Sequence, residues 1–93
     1  MYSCDADLII TLKDLSLRNS VDAEFRVKIS DYLFSVWFDS DQSYFNSGTT
    51  TRVKVNFFTV EEENIEEFSE MMGEEKRFAL VDGKQILGYI KLD

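Results

Sequence analysis

Eight glutamates stand between Glu61 and Glu75 with no basic residue among them. Carboxylates at this density suit three kinds of chemistry. Two of them can act as an acid–base pair across a cleft, several can hold a hard cation, or the whole group can attract basic surfaces. Acid–base work needs carboxylates facing each other across a substrate, whereas these lie along one solvated segment. A second acidic motif, Asp39-Ser40-Asp41, has the opening of a calcium loop but lacks the loop's glycine and closing glutamate at the required spacing. Histidine is missing altogether, which removes Ser-His and Cys-His nucleophilic pairs and most transition-metal sites. The single cysteine, Cys4, stands beside Asp5, a neighbour that raises a thiol pKa and disfavours the reactive thiolate. The chain is therefore expected to be no enzyme, with no cofactor and no metal.

What remains is a field. Outside the 61–75 block, nine aspartates and Glu24 meet ten Lys/Arg, so the net charge of -8 belongs to the block. Such a segment repels nucleic acid and anionic membrane and attracts a basic protein partner. The 93 residues suit one domain spanning 1–93. Thirteen aromatics favour a β-rich core, and the absence of proline excludes a cis-proline turn or a Pro-rich linker. A lone cysteine excludes an intramolecular disulfide and fits a reducing interior. The opening Met1 to Asp5 has neither a basic nor an apolar signal region, and no apolar run approaches a membrane span. A soluble, cytoplasmic protein is expected.

The elements that must position the acidic block are mainly strands. Phe25, Val27 and Ile29 alternate with Glu24, Arg26 and Lys28 in a period of two. After a turn or bulge at Ser30-Asp31 the pattern resumes, with Phe34, Val36 and Phe38 on one face and Leu33 and Trp37 on the other. Leu8, Ile10 and Leu12 share a face, and Ile9 breaks that alternation as in a strand covered on both sides. Asp39 to Thr50 reads as a polar loop, and Thr51, Val53, Val55 and Phe57 form another strand. Phe78 and Leu80 lead into Asp82-Gly83, a type I′ turn signal, and Ile86 to Leu92 return. Gly88 within that returning strand predicts a tight bend or close backbone approach.

Within the acidic block, Thr59 with Glu62 has the form of a capping box, and Gly73 stands where a helix would stop. Ile65, Phe68 and Met72 fall on one stripe, leaving Glu63, Glu66, Glu67 and Glu70 opposite. Like charges four apart oppose a helix by a few tenths of a kcal/mol per pair. Burying Ile65 and Phe68 is worth about 2 kcal/mol each. The segment therefore reads as a short helix, with an extended loop as the alternative. Together these elements predict a mainly β fold. It is an antiparallel barrel of about six strands, closed so as to leave no edges, with one short acidic helix between the fourth and fifth strands.

The closing segment, Arg77-Phe78-Ala79-Leu80-Val81-Asp82-Gly83 and Lys84-Gln85-Ile86-Leu87-Gly88, resembles the end of the third (C-terminal) barrel domain of elongation factor Tu and its small free-standing relatives. Upstream, Arg52 to Phe58 and Ala6 to Leu12 stand where earlier strands of that barrel would run, and Phe25-Arg26-Val27 where the family often has an aromatic-Arg-Pro. Val27 replaces that proline, and there is no phosphate loop or GTPase domain, so nucleotide hydrolysis does not carry over. The resemblance implies a six-stranded antiparallel barrel used as a recognition surface.

Two binding surfaces follow from these placements. The first is acidic: Glu63, Glu66, Glu67 and Glu70, joined by Tyr44 and Phe45 as aromatic contacts in the polar loop. A small acidic barrel of this kind would dock on a basic partner, as an inhibitor or an immunity-type antitoxin does. The second is basic: Arg26, Lys28, Arg52 and Lys54 on the outward phase of two strands, which in a translation-associated or ligand-binding barrel would grip RNA or an anion if those strands were neighbours. The bland reading of those four is cross-strand pairing with acidic neighbours on a solvated wall. Tyr32, Trp37, Tyr44 and Phe45 could form an aromatic contact patch, though for Trp37 core packing is the favoured reading. Nucleic acid is an unlikely partner for so acidic a chain.

Overall fold

The computed structural model describes residues 1–93, the side chain of Glu62 excepted. Side chains two apart converge on one interior. In β1 (Tyr2–Ile10) Ala6, Leu8 and Ile10 are buried. β3 (Phe25–Ile29) contributes Val27 and Ile29, β4 (Tyr32–Asp39) Val36 and Phe38, and β6 (Thr50–Phe57) Val53, Val55 and Phe57, once β2 (Ser16–Arg18) and β5 (Tyr44–Asn46) are set aside. β7 (Arg77–Asp82) and β8 (Gln85–Leu92) complete the interior with Phe78, Leu80, Leu87, Ile90 and Leu92. The six longer strands close into an antiparallel barrel in the order β1-β6-β4-β3-β7-β8, with β8 returning to β1. Closure satisfies the backbone groups that an open edge would expose. One short helix, α1 (Ile65–Met72), lies between β6 and β7.

Local chemistry sets the joints. β3 and β4 form a hairpin with Ile29 opposite Tyr32, so the phase change at Ser30-Asp31 is a two-residue turn. In the last hairpin Asp82 faces Gln85, and the loop is Gly83-Lys84, one residue later than the Asp82-Gly83 pair expected. Only Gly83 of that pair has positive φ, whereas a type I′ turn would need it at both central positions. Gly88 carries the closest constraint. A β-bulge shifts the register between Leu80 and Val81, and Gly88 sits beside Ile10 of β1. A Cβ there would lie 2.1 Å from the Ile9 carbonyl oxygen. Next to it, the Leu87 carbonyl accepts from both Thr11 N–H (3.0 Å) and Leu12 N–H (3.1 Å). The bulge thus joins β8 to the end of β1.

Each end of the barrel is plugged by a phenylalanine from an inserted element. At the end where β4 begins, Phe68 of α1 meets Phe57 (4.7 Å between ring centroids), Phe34 (5.4 Å) and Tyr2 (5.6 Å), mostly edge to face. At the end where β4 finishes, Phe45 meets Phe38 (5.7 Å) and Phe25 (6.5 Å). Phe45 belongs to β5, which pairs with β2 as a separate two-stranded ribbon. This ribbon corrects the expectation of an unbroken polar loop over Asp39–Thr50. Three residues with one apolar side chain are too short for alternation to register as a strand. β1 likewise starts at Tyr2 and ends at Ile10, earlier than the Ala6–Leu12 span expected.

The helix start is displaced as well. A 3-10 turn over Glu62–Asn64 comes first, and α1 begins at Ile65 with Asn64 at its cap and no side-chain capping bond. The Glu62 half of the expected capping box lies outside the described side chains. At the other end Gly73 takes φ 72°, and its N–H reaches the carbonyls of Glu70 (3.2 Å) and Ser69 (3.3 Å). A left-handed residue here suits glycine.

Two substitutions test this account by denaturant unfolding. Phe68→Ala should cost about 3 kcal/mol or more, as expected for emptying a buried aromatic site. Gly88→Ala, which drives a methyl into the β1 backbone, should cost about 3 kcal/mol and broaden or split the transition. A loss below about 1 kcal/mol in either variant would contradict the packing described.

Candidate interaction site

The helix that closes one barrel end, together with the 3-10 turn before it, carries the acidic ridge. Phe68 is buried and Ile65, Met71 and Met72 are half-buried, so the stripe turned to the barrel is apolar. Glu63, Glu66, Glu67 and Glu70 are exposed. Among the described residues none of these four has a cation within 4.0 Å, and α1 has no basic residue in its last turn. Glu61, just before them, accepts from the Met1 amino group at 3.1 Å.

The basic residues behave differently. β4 lies between β3 and β6, so Arg26 and Lys28 are not on a strand adjoining that of Arg52 and Lys54, and the condition for the alternative basic face is not met. Arg26 lies 3.8 Å from Glu24. Arg52 bonds Asp7 at 3.3 Å and also Asp93. The Arg52 guanidinium holds the Asp93 carboxyl below the usual carboxylate range, and the hydrogen bond to Asp93 raises Arg52 in turn. Lys54 stands opposite Asp5 on β1 and Asp39 on β4. Cross-strand register therefore sets opposite charges side by side along this wall.

The two aromatic residues expected as partner contacts, Tyr44 and Phe45, do not join the acidic ridge. Phe45 is 1 % exposed and belongs to the core. Tyr44 is exposed, but on β5 at the opposite barrel end from α1, where it lines a groove with Asp41 and Arg52. Phe45 was missed as core because its flanking residues are polar. Asp39 and Asp41 line a neighbouring groove with Asp5, Arg52 and Lys54. Among the described residues no group of three metal-ligating side chains forms.

Trp37 corrects a further expectation: it lies on the outward phase of β4, half-buried, rather than in the core. Its indole rests against Phe58 at 6.4 Å between ring centroids. The two rings border a groove of about 460 Å³ with Met1, Val21 and Ala23, and with Asp22 and Glu24 beside them. Met1, Val21 and Phe58 are 58 %, 101 % and 47 % exposed. Beside Trp37 in the strand register, the buried Asn56 amide donates to the Trp37 carbonyl (3.3 Å) and accepts from the Ser3 hydroxyl (2.6 Å), joining β4, β6 and β1. One signal pointed here. Alternation already put Trp37 opposite Phe34, Val36 and Phe38, whereas Phe58 follows the end of β6 in a turn, where no strand period could place it.

This chain matches no family model, no curated protein and no solved structure. Its function must be argued from the surface itself. No helix among the described residues is long and apolar enough to cross a membrane.

Cys4 lies half-buried on β1 near Tyr2. Burial first, and then the Asp5 carboxylate, push its thiol up to about 11. The neutral thiol is the form the fold favours, so its contribution is complete below the unfolded value of about 8.5 and is lost as pH rises beyond it. Maleimide labelling of native protein near pH 7.5 should run about a hundredfold slower than for a free cysteine. The rate should keep climbing toward pH 11. Fast labelling at neutral pH would contradict this environment.

Proposed function

We propose that this protein is a non-catalytic interaction module, a small acidic barrel that docks on a basic protein partner in the manner of an inhibitor or immunity-type protein. One observation carries the reading. Glu63 in the 3-10 turn and Glu66, Glu67 and Glu70 on α1 are exposed along one short segment without cation partners among the described residues, while Arg26 and Arg52 on the barrel wall face carboxylates. Like charges gathered on one ridge are unfavourable for the free protein. They become favourable when an opposite surface meets them, and they speed its approach. The resemblance to the third barrel domain of elongation factor Tu supports the same kind of use, since it implies a barrel serving as a recognition surface. The competing RNA- or anion-binding reading needs Arg26, Lys28, Arg52 and Lys54 on one face, and β4 separates them.

The test combines salt and mutation. A protein captured by the wild-type chain should be basic, and its affinity should fall as ionic strength rises. Replacing Glu63, Glu66, Glu67 and Glu70 with glutamine should weaken binding by about thirtyfold, from roughly 0.5 kcal/mol per charge. The same variant should flatten the salt dependence. Binding that ignores all four changes, or an RNA mobility shift lost on replacing Arg26, Lys28, Arg52 and Lys54, would overturn the proposal.

A further inference from the structure

The groove between Trp37 and Phe58 is an unpartnered apolar surface in a protein whose other large apolar side chains mostly fill its interior. Three features bear on what covers it. It is shallow and bounded by flat rings, which suits one or two apolar side chains rather than a whole helix face. Two exposed carboxylates, Asp22 and Glu24, line its border. Glu24 also lies 3.8 Å from Arg26, and Glu61 bonds the amino group of Met1, so Asp22 is the lining carboxylate with no cation within 4.0 Å among the described residues. It lies where the chain passes from Phe57 at the end of β6 toward the glutamates of the 61–75 block.

From this we propose that the groove receives the apolar anchor of a basic protein segment, an aliphatic side chain with Lys or Arg on both sides. The proposal deepens the interaction-module reading and rests on it. Aromatic side chains that are partly exposed and able to be desolvated are where interfaces concentrate their energy, while the charges around them set orientation and partner choice. Here the rings of Trp37 and Phe58 supply the contact, and Asp22, Glu24 and the glutamate ridge select positive neighbours. A second copy of this chain is a poor occupant, because each copy carries a net charge of -8. Strand addition is a poor mode as well, because the six barrel strands pair all round.

Trp37 is the only tryptophan, so its emission reports the groove directly. Wild-type protein is titrated with three synthetic pentapeptides: Lys-Lys-Leu-Lys-Lys, Lys-Lys-Gly-Lys-Lys and Glu-Glu-Leu-Glu-Glu. The leucine-centred basic peptide should shift Trp37 emission saturably and bind about tenfold tighter than the glycine-centred one, the factor expected for burying one aliphatic side chain. The acidic peptide should not bind. Phe58→Ser should erase the leucine preference, with circular dichroism confirming the fold. Val21→Ser, at a fully exposed position, should reduce it without any risk to folding.

The failures separate. If both basic peptides bind equally with no emission change, the groove proposal falls while the acidic ridge stands. If the leucine preference persists but the Glu63, Glu66, Glu67 and Glu70 to glutamine variant binds as tightly as wild type, the ridge reading falls and the groove stands. Equal binding of the acidic peptide overturns the charge selection. An emission shift that follows protein concentration alone, with a dimer in sedimentation, overturns the proposed occupant in favour of a second copy.

Discussion

The contact of Phe68 with Tyr2, Phe34 and Phe57 supports more of this molecule than its size suggests. A helix of eight residues is too short to persist alone in water. This one also lacks a side-chain cap bond and a basic residue in its last turn. Its outer face holds glutamates three and four apart, each pair adding a small repulsion. What holds the helix is therefore burial of one aromatic ring, with Ile65, Met71 and Met72 around it. The acidic ridge is presented where it is because that ring closes the end of the barrel.

The barrel makes the same demand of its other end, and meets it with different material. Phe45 plugs that end from a short ribbon whose sequence is otherwise polar. Its two plugs arise from unlike elements, a helix and a ribbon, because the requirement is only that an aromatic ring reach the opening. Between the plugs the wall is closed by hydrogen bonding that includes the Gly88 approach to β1. Charge on the wall is then balanced locally by strand register, as at Asp5, Lys54 and Asp39. The imbalance of the sequence survives folding as an imbalance of surface.

Alternation made the barrel legible. Phe25 to Ile29, Thr51 to Phe57 and the last hairpin each repeat every two residues over enough length to be read, and Gly88 stood out within its strand. The ribbon of β2 and β5 was not legible, since three-residue strands carry no period and Phe45 earns its burial only from tertiary partners. The site was legible in charge and not in shape. Glutamates on one segment can be counted, but which strands adjoin cannot. For that reason Arg26 and Lys28 seemed able to meet Arg52 and Lys54 until β4 was found between them. The Trp37–Phe58 groove is likewise a product of the barrel's curvature, bringing together Met1, the 21–24 loop, β4 and residue 58.

The position of β1 has a kinetic consequence. Its two partners are β6, at Thr50–Phe57, and β8, at Gln85–Leu92, with no local hairpin available to it. The β3–β4 and β7–β8 hairpins can form from nearby residues, whereas the seam through β1 must wait for distant segments to meet. Loop-closure entropy makes such a seam slow and late, so the assembling chain passes through a stage with two complementary strand borders still unjoined. Exchange of β1 between two chains at that stage would give an intertwined pair with the same contacts, a route that crowding during synthesis would favour.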